Sequence, residues 1–188
     1  MRGETLLLRE LRQSDYPMLV RLRNDLATQG WSRTLPPDFT LGMYHKRFDD
    51  RPYEFSRDWA IFVIETLDRG TPIGFCSYTD HQDRFEATIG IVVEKERWGT
   101  GASFEASDLL LRFLFHELGL RVVRLWTQSG NTRAAGSAEK LGFRVAARLE
   151  NAIFKEGEYR DNLMMDLLRE EWYELHPDLE DGLIDPFR

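Results

Sequence analysis

Apolar and polar positions along this chain switch between a period of two and a period near 3.6, and the switch points divide it into elements. Thr5 to Leu11 reads as a first strand. Ser14-Asp15 then caps a helical pattern that runs to about Leu26, with Pro17 tolerable in its first turn. Trp59 to Thr66 and Thr71 to Thr79 are apolar, β-branched runs around Asp68-Arg69-Gly70, and Phe85 to Val93 follows a polar turn at residues 80–83. Three strands joined by short turns predict an antiparallel meander.

Next, Ala106, Leu109, Leu110, Phe113 and Leu114 fall on one side of a helix and Glu105, Asp108 and Arg112 on the other, so one face packs on the sheet. Gly119 ends that helix and Val122 to Thr127 predicts another strand. Asn131 then caps a short helix reaching Leu141, which Gly142-Phe143 stops. Phe143 to Phe154 and Tyr159 to Leu168 read as two closing strands around Lys155-Glu156-Gly157-Glu158, with a last helical turn or two at residues 169–176.

Two stretches lack clear periodicity. Residues 28–58 hold several prolines and glycines and the aromatics Trp31, Phe39, Tyr44, Phe48, Tyr53 and Phe55, with a short helix expected near 40–49. So long an aromatic connection is either a cover over the core or a substrate lid, and the lid is the preferred reading. Residues 177–188 carry Asp178, Glu180, Asp181 and Asp185 and read as a solvated acidic tail after a single domain at 1–176, with a docking arm as the alternative.

The strand-to-helix passage at Trp98-Gly99-Thr100-Gly101-Ala102-Ser103 carries the first candidate chemistry. Two close glycines let the backbone turn sharply, and the first amides of the helix then point outward at the positive end of its dipole, which suits a pyrophosphate. A tight turn that binds nothing has the same spacing. No Lys-Ser or Lys-Thr pair completes a P-loop, and Phe104 stands where a dinucleotide fold needs its third small residue.

Composition narrows the partners. A chain of 188 residues with 42% hydrophobic content can bury a substantial core, and a net charge of −7 disfavours a sequence-independent grip on nucleic acid while mildly favouring cationic partners. Cys76 sits in an apolar run and reads as a core residue, consistent with a reducing, cytoplasmic setting. Leu6 to Leu8 give way at once to Arg9 and Glu10, so neither a signal h-region nor a membrane span is expected there. His45, His81, His116 and His176 show no metal-ligand spacing, and no metal is expected.

Taken together, the meander, Ile89-Gly90-Ile91, the run from Glu96 to Ala106, Asn131 with Lys140-Leu141-Gly142-Phe143, and Gly157-Glu158-Tyr159-Arg160-Asp161 resemble the GCN5-related N-acetyltransferases. The opening Leu6-Leu7-Leu8-Arg9-Glu10-Leu11 with Ser14-Asp15 is similar to the branch that acetylates ribosomal protein N-termini. The resemblance implies an α/β (α+β) fold: a central, mostly antiparallel mixed sheet of about seven strands, splayed between the fourth and fifth and flanked by about four helices. It implies acetyl-CoA as cosubstrate and an amine, a peptide N-terminus or a small amine, as acceptor. It further implies that the edge of Ile91, Val92 and Val93 pairs with the pantetheine arm and that Trp98, Gly99, Thr100, Gly101, Ala102 and Ser103 hold the pyrophosphate. Asn131 would contact the cofactor near the thioester, and Arg133, Lys95, Arg97 and Lys140 are nearby cations that can meet the phosphates. The resemblance and the aromatic content suggest a homodimer.

Departures from the family fall on the turn, where Trp98 stands for the wider family's Gln or Arg and Ser103 for its Gly or Ala without costing the cofactor site, and on the catalytic positions. Thr88 occupies the place of a glutamate before Ile-Gly, Ala134 that of a serine and Ala138 that of a tyrosine, so acid and base cannot be carried across. Deprotonating an α-amine of pKa near 8 at pH 7 costs about 1 kcal/mol, against roughly 4.6 for a lysine-like amine, which favours the former where no base is evident. Glu86 is the spare candidate base, and Ser137 and Tyr159 the candidate acids; an exposed glutamate, a packed serine and a sheet tyrosine are the bland alternatives. Acetylation of a polyamine or aminoglycoside, and a CoA-binding module without turnover, are the competing functional readings.

Overall fold

The computed structural model describes residues 1–29, 37–49 and 58–179. Seven strands form one sheet: β1 (Leu6–Glu10), β2 (Ala60–Thr66), β3 (Pro72–Gln82), β4 (Glu86–Val93), β5 (Val122–Gln128), β6 (Arg144–Lys155) and β7 (Glu158–Leu168), in the order β1-β2-β3-β4-β5-β7-β6. The meander of β1 to β4 is antiparallel, as its short turns require, and β4 alone meets its neighbour β5 in parallel. Six α-helices stand among the described residues, against about four expected: α1 (Tyr16–Asn24), α2 (Leu26–Gln29), α3 (Leu41–Phe48), α4 (Ala102–Arg112), α5 (Thr132–Lys140) and α6 (Arg169–Leu175).

The helix that no periodicity predicted, α2, has a local cause. The first helix does not reach Leu26, because Asp25 adopts an extended backbone and its carboxylate accepts from the Ala27 amide at 2.9 Å, starting the one-turn α2. Asp15 does not cap with its side chain either. Its carboxylate turns inward to take a two-pronged ion pair from buried Arg9, at 2.7 and 2.9 Å, and also accepts from the Arg12 amide at 2.9 Å.

Register assigns the two faces of the sheet. Leu8, Ile64 and Val93 stand in one row with Gly74, and they pack with Ala102, Ala106 and Leu110 of α4. The adjacent row, Arg9, Val63, Phe75 and Val92, points the other way, and Val63 and Phe75 pack with Tyr16, Leu19 and Leu22 around α1. α3 adds buried Tyr44 to that second cluster, its ring 5.8 Å from Tyr16. This part of the aromatic connection therefore acts as a cover over the α1 face; residues 30–36 and 50–57, the remainder of the expected lid, lie outside the described residues, as does most of the acidic tail.

Candidate functional site

The parallel ladder of β4 and β5 is short. Glu86 to Ile89 pair with Val122 to Leu125, after which β4 continues through Ile91, Val92 and Val93 bonded only to β3. A right-twisted strand that loses its partner leaves alternate backbone groups facing open space. The gap opens into a cavity of about 810 Å³ that passes through the sheet, because its walls include Ile91 and Val93 from the α4 face and Phe75, Ser77 and Val92 from the α1 face.

On the α4 side the cavity ends at the glycine turn. Gly99 and Gly101 have φ of 77° and 89°, a left-handed backbone that glycine adopts without strain. A first turn of helix leaves its leading amides without intrahelical acceptors. Among the described residues nothing accepts from the amides of Gly99, Gly101, Ala102, Ser103 or Phe104, while Glu105 begins the helical ladder by donating to Gly101 at 3.0 Å. Those amides, the helix dipole and the cavity walls fit a pyrophosphate. The Trp98 indole donates to the Val93 carbonyl at 3.0 Å, tying the turn to the end of β4, and Arg133 from α5 lies over its ring. Burial lowers the Arg133 pKa without discharging it.

The mouth on the α1 face is lined by Arg23, Thr28, Phe75, Ser77 and Trp126. Trp126 is two residues from Arg124, which pairs with Thr88, so register puts it on the Phe75 side of the sheet. Thr127 of β5, which alternation puts on the opposite face from Trp126, and Ala134, Ser137 and Ala138 of α5 also line the cavity. The Thr127 hydroxyl, on a residue only 6% exposed, has no hydrogen-bond partner among the described residues.

Most of the residues expected at the cofactor are gathered here. Ile91, Val92, Val93, Trp98, Gly99, Gly101, Ser103, Asn131 and Arg133 all line the cavity. Asn131 also caps α5, accepting from the Ala134 amide at 3.3 Å. Thr100 stands apart: its amide and hydroxyl both donate to the Arg97 carbonyl, at 3.4 and 2.8 Å, and it lines a smaller cavity. Ala102 packs its methyl into the core and offers only its amide.

Of the candidate catalytic side chains, Ser137 alone lines the cavity. Glu86 sits at the closed end of the β4–β5 ladder, ion-paired with Arg124 and bonded by Gln82 at 3.2 Å; it stands four residues, about 13 Å of strand, before Gly90. Alternation does put it on the Thr88 side, but register leaves it at the wrong end. Tyr159 is 68% exposed at the tip of the β6–β7 hairpin, packed edge-on against Phe154 at 5.0 Å. Cys76 is buried, and burial pushes its thiol up to about 12, which makes it a core residue and no nucleophile. Sequence reasoning missed Arg23, Ser77, Trp126 and Thr127 as cavity residues, since only the register shows which strand positions face the gap.

A family model described as an acetyltransferase (GNAT) domain matches residues 5–144. Two curated Bacillus subtilis proteins are similar over part of the chain: "Putative ribosomal N-acetyltransferase YdaF", 29% identical over 46% of this chain and 48% of its own length, and the SPbeta prophage-derived uncharacterized N-acetyltransferase YokL, 34% identical over 48% and 52%. The chain thus spans about half the length of the curated relatives it matches. Among solved structures, a spermidine N-acetyltransferase from Vibrio cholerae in complex with CoA and spermine superposes with a TM-score of 0.80 at 21% identity, covering 89% of this chain and 97% of that one. An acetyltransferase of the GNAT family from Bacillus anthracis gives 0.74 at 19% identity, covering 90% and 98%.

Proposed function

We propose, from the premise that this chain belongs to the acetyltransferase (GNAT) domain family and is an acetyl-CoA-dependent N-acetyltransferase, that its acceptor is a primary α-amine of a peptide or small molecule. The observation that carries this reading is the lining of the cavity: among the described residues it includes Arg23, Arg97, Arg133 and Lys140 and no carboxylate. A polyamine, cationic along its whole length, gains nothing from such walls, and a lysine-like amine finds no side chain able to take its proton. An α-amine is already substantially neutral near pH 8 and needs only to be positioned.

Acetyl-CoA supplies an activated acyl group; this chain's part is to hold it and to orient the amine. The free amides after β4 fit the diphosphate, the open edge of Ile91, Val92 and Val93 fits the pantetheine amides, and the passage through the sheet admits the amine from the α1 face. The nitrogen lone pair forms the C–N bond, the C–S bond breaks with its electron pair on sulfur, and the amine's surplus proton leaves to solvent. The similarity to YdaF is consistent with a protein N-terminus as acceptor.

A polyamine acceptor is the second reading, favoured by the likeness to the Vibrio cholerae spermidine N-acetyltransferase and by the net charge of −7. Thiol release from acetyl-CoA with free-N-terminal peptides, spermidine and an aminoglycoside side by side decides between them. Peptide turnover exceeding spermidine turnover supports the α-amine; spermidine turnover alone replaces it with the polyamine.

A further inference from the structure

We propose that the acceptor amine carries a carboxylate and that Arg23 is the group that binds it, an inference that rests on the α-amine reading and specifies its substrate class. Arg23 stands near the end of α1 at the α1-face mouth of the cavity. Its guanidinium lies 4.9 Å from the centre of the Phe75 ring and 5.8 Å from that of Phe39. Phe39 is itself fixed by Asn24, whose side-chain amide donates to the Phe39 carbonyl at 2.8 Å and whose oxygen accepts from the Phe39 amide at 2.9 Å. Tyr44 closes the third side, its hydroxyl bonded to the Arg23 guanidinium: burial pushes the phenol up, and the Arg23 charge and that bond pull it partly back.

Two aromatic faces hold the cation in place without neutralising it. The neighbouring arginines differ: Arg21 pairs with Glu94 at 3.2 Å, and Arg9 is shared between Asp15 and Glu65. Among the described residues no carboxylate comes within ion-pairing distance of Arg23, and none lines the cavity beside it. A planar, always-charged fork held by stacking, with one bond to the Tyr44 hydroxyl but no carboxylate partner among the described residues and its site open to a substrate passage, is matched by a carboxylate in two-pronged contact. Ser77 lines the same mouth and brings a hydroxyl to it, whereas the Thr28 hydroxyl there donates to the Leu22 carbonyl at 2.7 Å. A substrate with its amine in the sheet passage and a carboxylate near Arg23 is oriented at both ends, which a neutral amine is not.

The test compares matched acceptors on the intact enzyme, scoring kcat/KM from thiol release. Ala-Asp-Ala-Ala-amide is set against Ala-Asn-Ala-Ala-amide, and free alanine against alaninamide, so that a side-chain carboxylate and an α-carboxylate are told apart. A charge-assisted pair is worth about ten- to a hundredfold, and that preference is expected for the acidic member of at least one pair. Arg23→Gln is expected to bring the ratio near one, and Arg23→Glu to transfer the preference to Ala-Lys-Ala-Ala-amide. If the variants do not fold, the wild-type ratio and its decline in 0.5 M salt carry the same information. Equal turnover of the charged and neutral members by the wild type overturns the carboxylate site while leaving α-amine acetylation intact. Turnover of spermidine with none of any peptide or amino acid overturns the α-amine reading beneath it.

Discussion

The guanidinium of Arg133 lies 3.6 Å from the centre of the Trp98 ring, so a residue of α5 reaches across the open gap to one on the turn that follows β4. Trp98 is in turn bonded through its indole to the Val93 carbonyl, and the pair joins the two sides of the splay at the end where the free amides gather. A cation–π contact of this kind is worth about 0.5–2 kcal/mol, and the guanidinium keeps donors for a phosphate.

Arg133→Ala is therefore expected to raise the KM for acetyl-CoA about tenfold while kcat stays within about twofold, since the loss falls on ground-state binding. Steady-state kinetics at low and high salt check this. The KM penalty should shrink at high salt, and a KM unchanged at both would take Arg133 out of the cofactor site.

Thr127 combines burial with an unpartnered hydroxyl, which costs about 1–3 kcal/mol unless a ligand supplies the partner. Thr127→Val keeps the shape and deletes the hydroxyl. The expected outcome is an unliganded enzyme more stable by about 1 kcal/mol and a kcat reduced severalfold. Urea denaturation and single-turnover kinetics read the two effects separately; a gain in stability with unchanged kcat would make the hydroxyl a packing accident.

Glu86 is held by Arg124 and Gln82 away from the cavity, and no other carboxylate lines the cavity among the described residues. The rate with a peptide should then follow the acceptor's own amine, rising tenfold per pH unit up to about pH 8 and levelling above it. Glu86→Gln should leave the midpoint of that profile where it is. A midpoint displaced by the substitution would restore Glu86 as a base acting through water.

Much of the fold was written in period alone. Six of the seven strands lie within two residues of the expected bounds at both ends, because each is an apolar or β-branched run closed by a turn residue, and Asn131 does cap α5. Asp15 was misread because its role depends on a partner in the preceding strand: Arg9 is brought to it by the fold of the chain, and a buried ion pair outcompetes a helix cap. The glycine-turn end of the cavity was legible since backbone amides and two glycines define it. The α1-face mouth was not. Arg23, Ser77 and Trp126 come from three elements and meet only through sheet register, and nothing in their spacing marks them.

The Arg9, Asp15 and Glu65 cluster gives the fold a defined acid sensitivity. Burial pushes the Asp15 carboxyl up, but the Arg9 guanidinium and the Arg12 amide outweigh it and hold the group below its ordinary value. A carboxylate depressed in the folded state contributes stability above its unfolded pKa of about 3.9 and loses it as pH falls through the lower folded value. Asp15→Asn leaves Arg9 without its principal partner and should cost about 3–5 kcal/mol at pH 7. Urea midpoints at pH 7 and pH 3 should show the variant losing less on acidification than the wild type; equal losses would move the acid sensitivity elsewhere.

A diphosphate cradled by the amides that follow β4 is tested most directly by the melting temperature of the protein with CoA at a hundred times its dissociation constant, for the wild type and for Gly101→Val. Gly101 has a φ of 89° and a Cβ there would meet nothing within 4 Å, so valine strains the turn without clashing with a neighbour. Saturation at that level stabilises by about 2.7 kcal/mol, or roughly 5–10 °C for a chain of this size. The wild type should show that rise and Gly101→Val little or none. A valine variant that folds and keeps the full rise would put the diphosphate somewhere other than this turn.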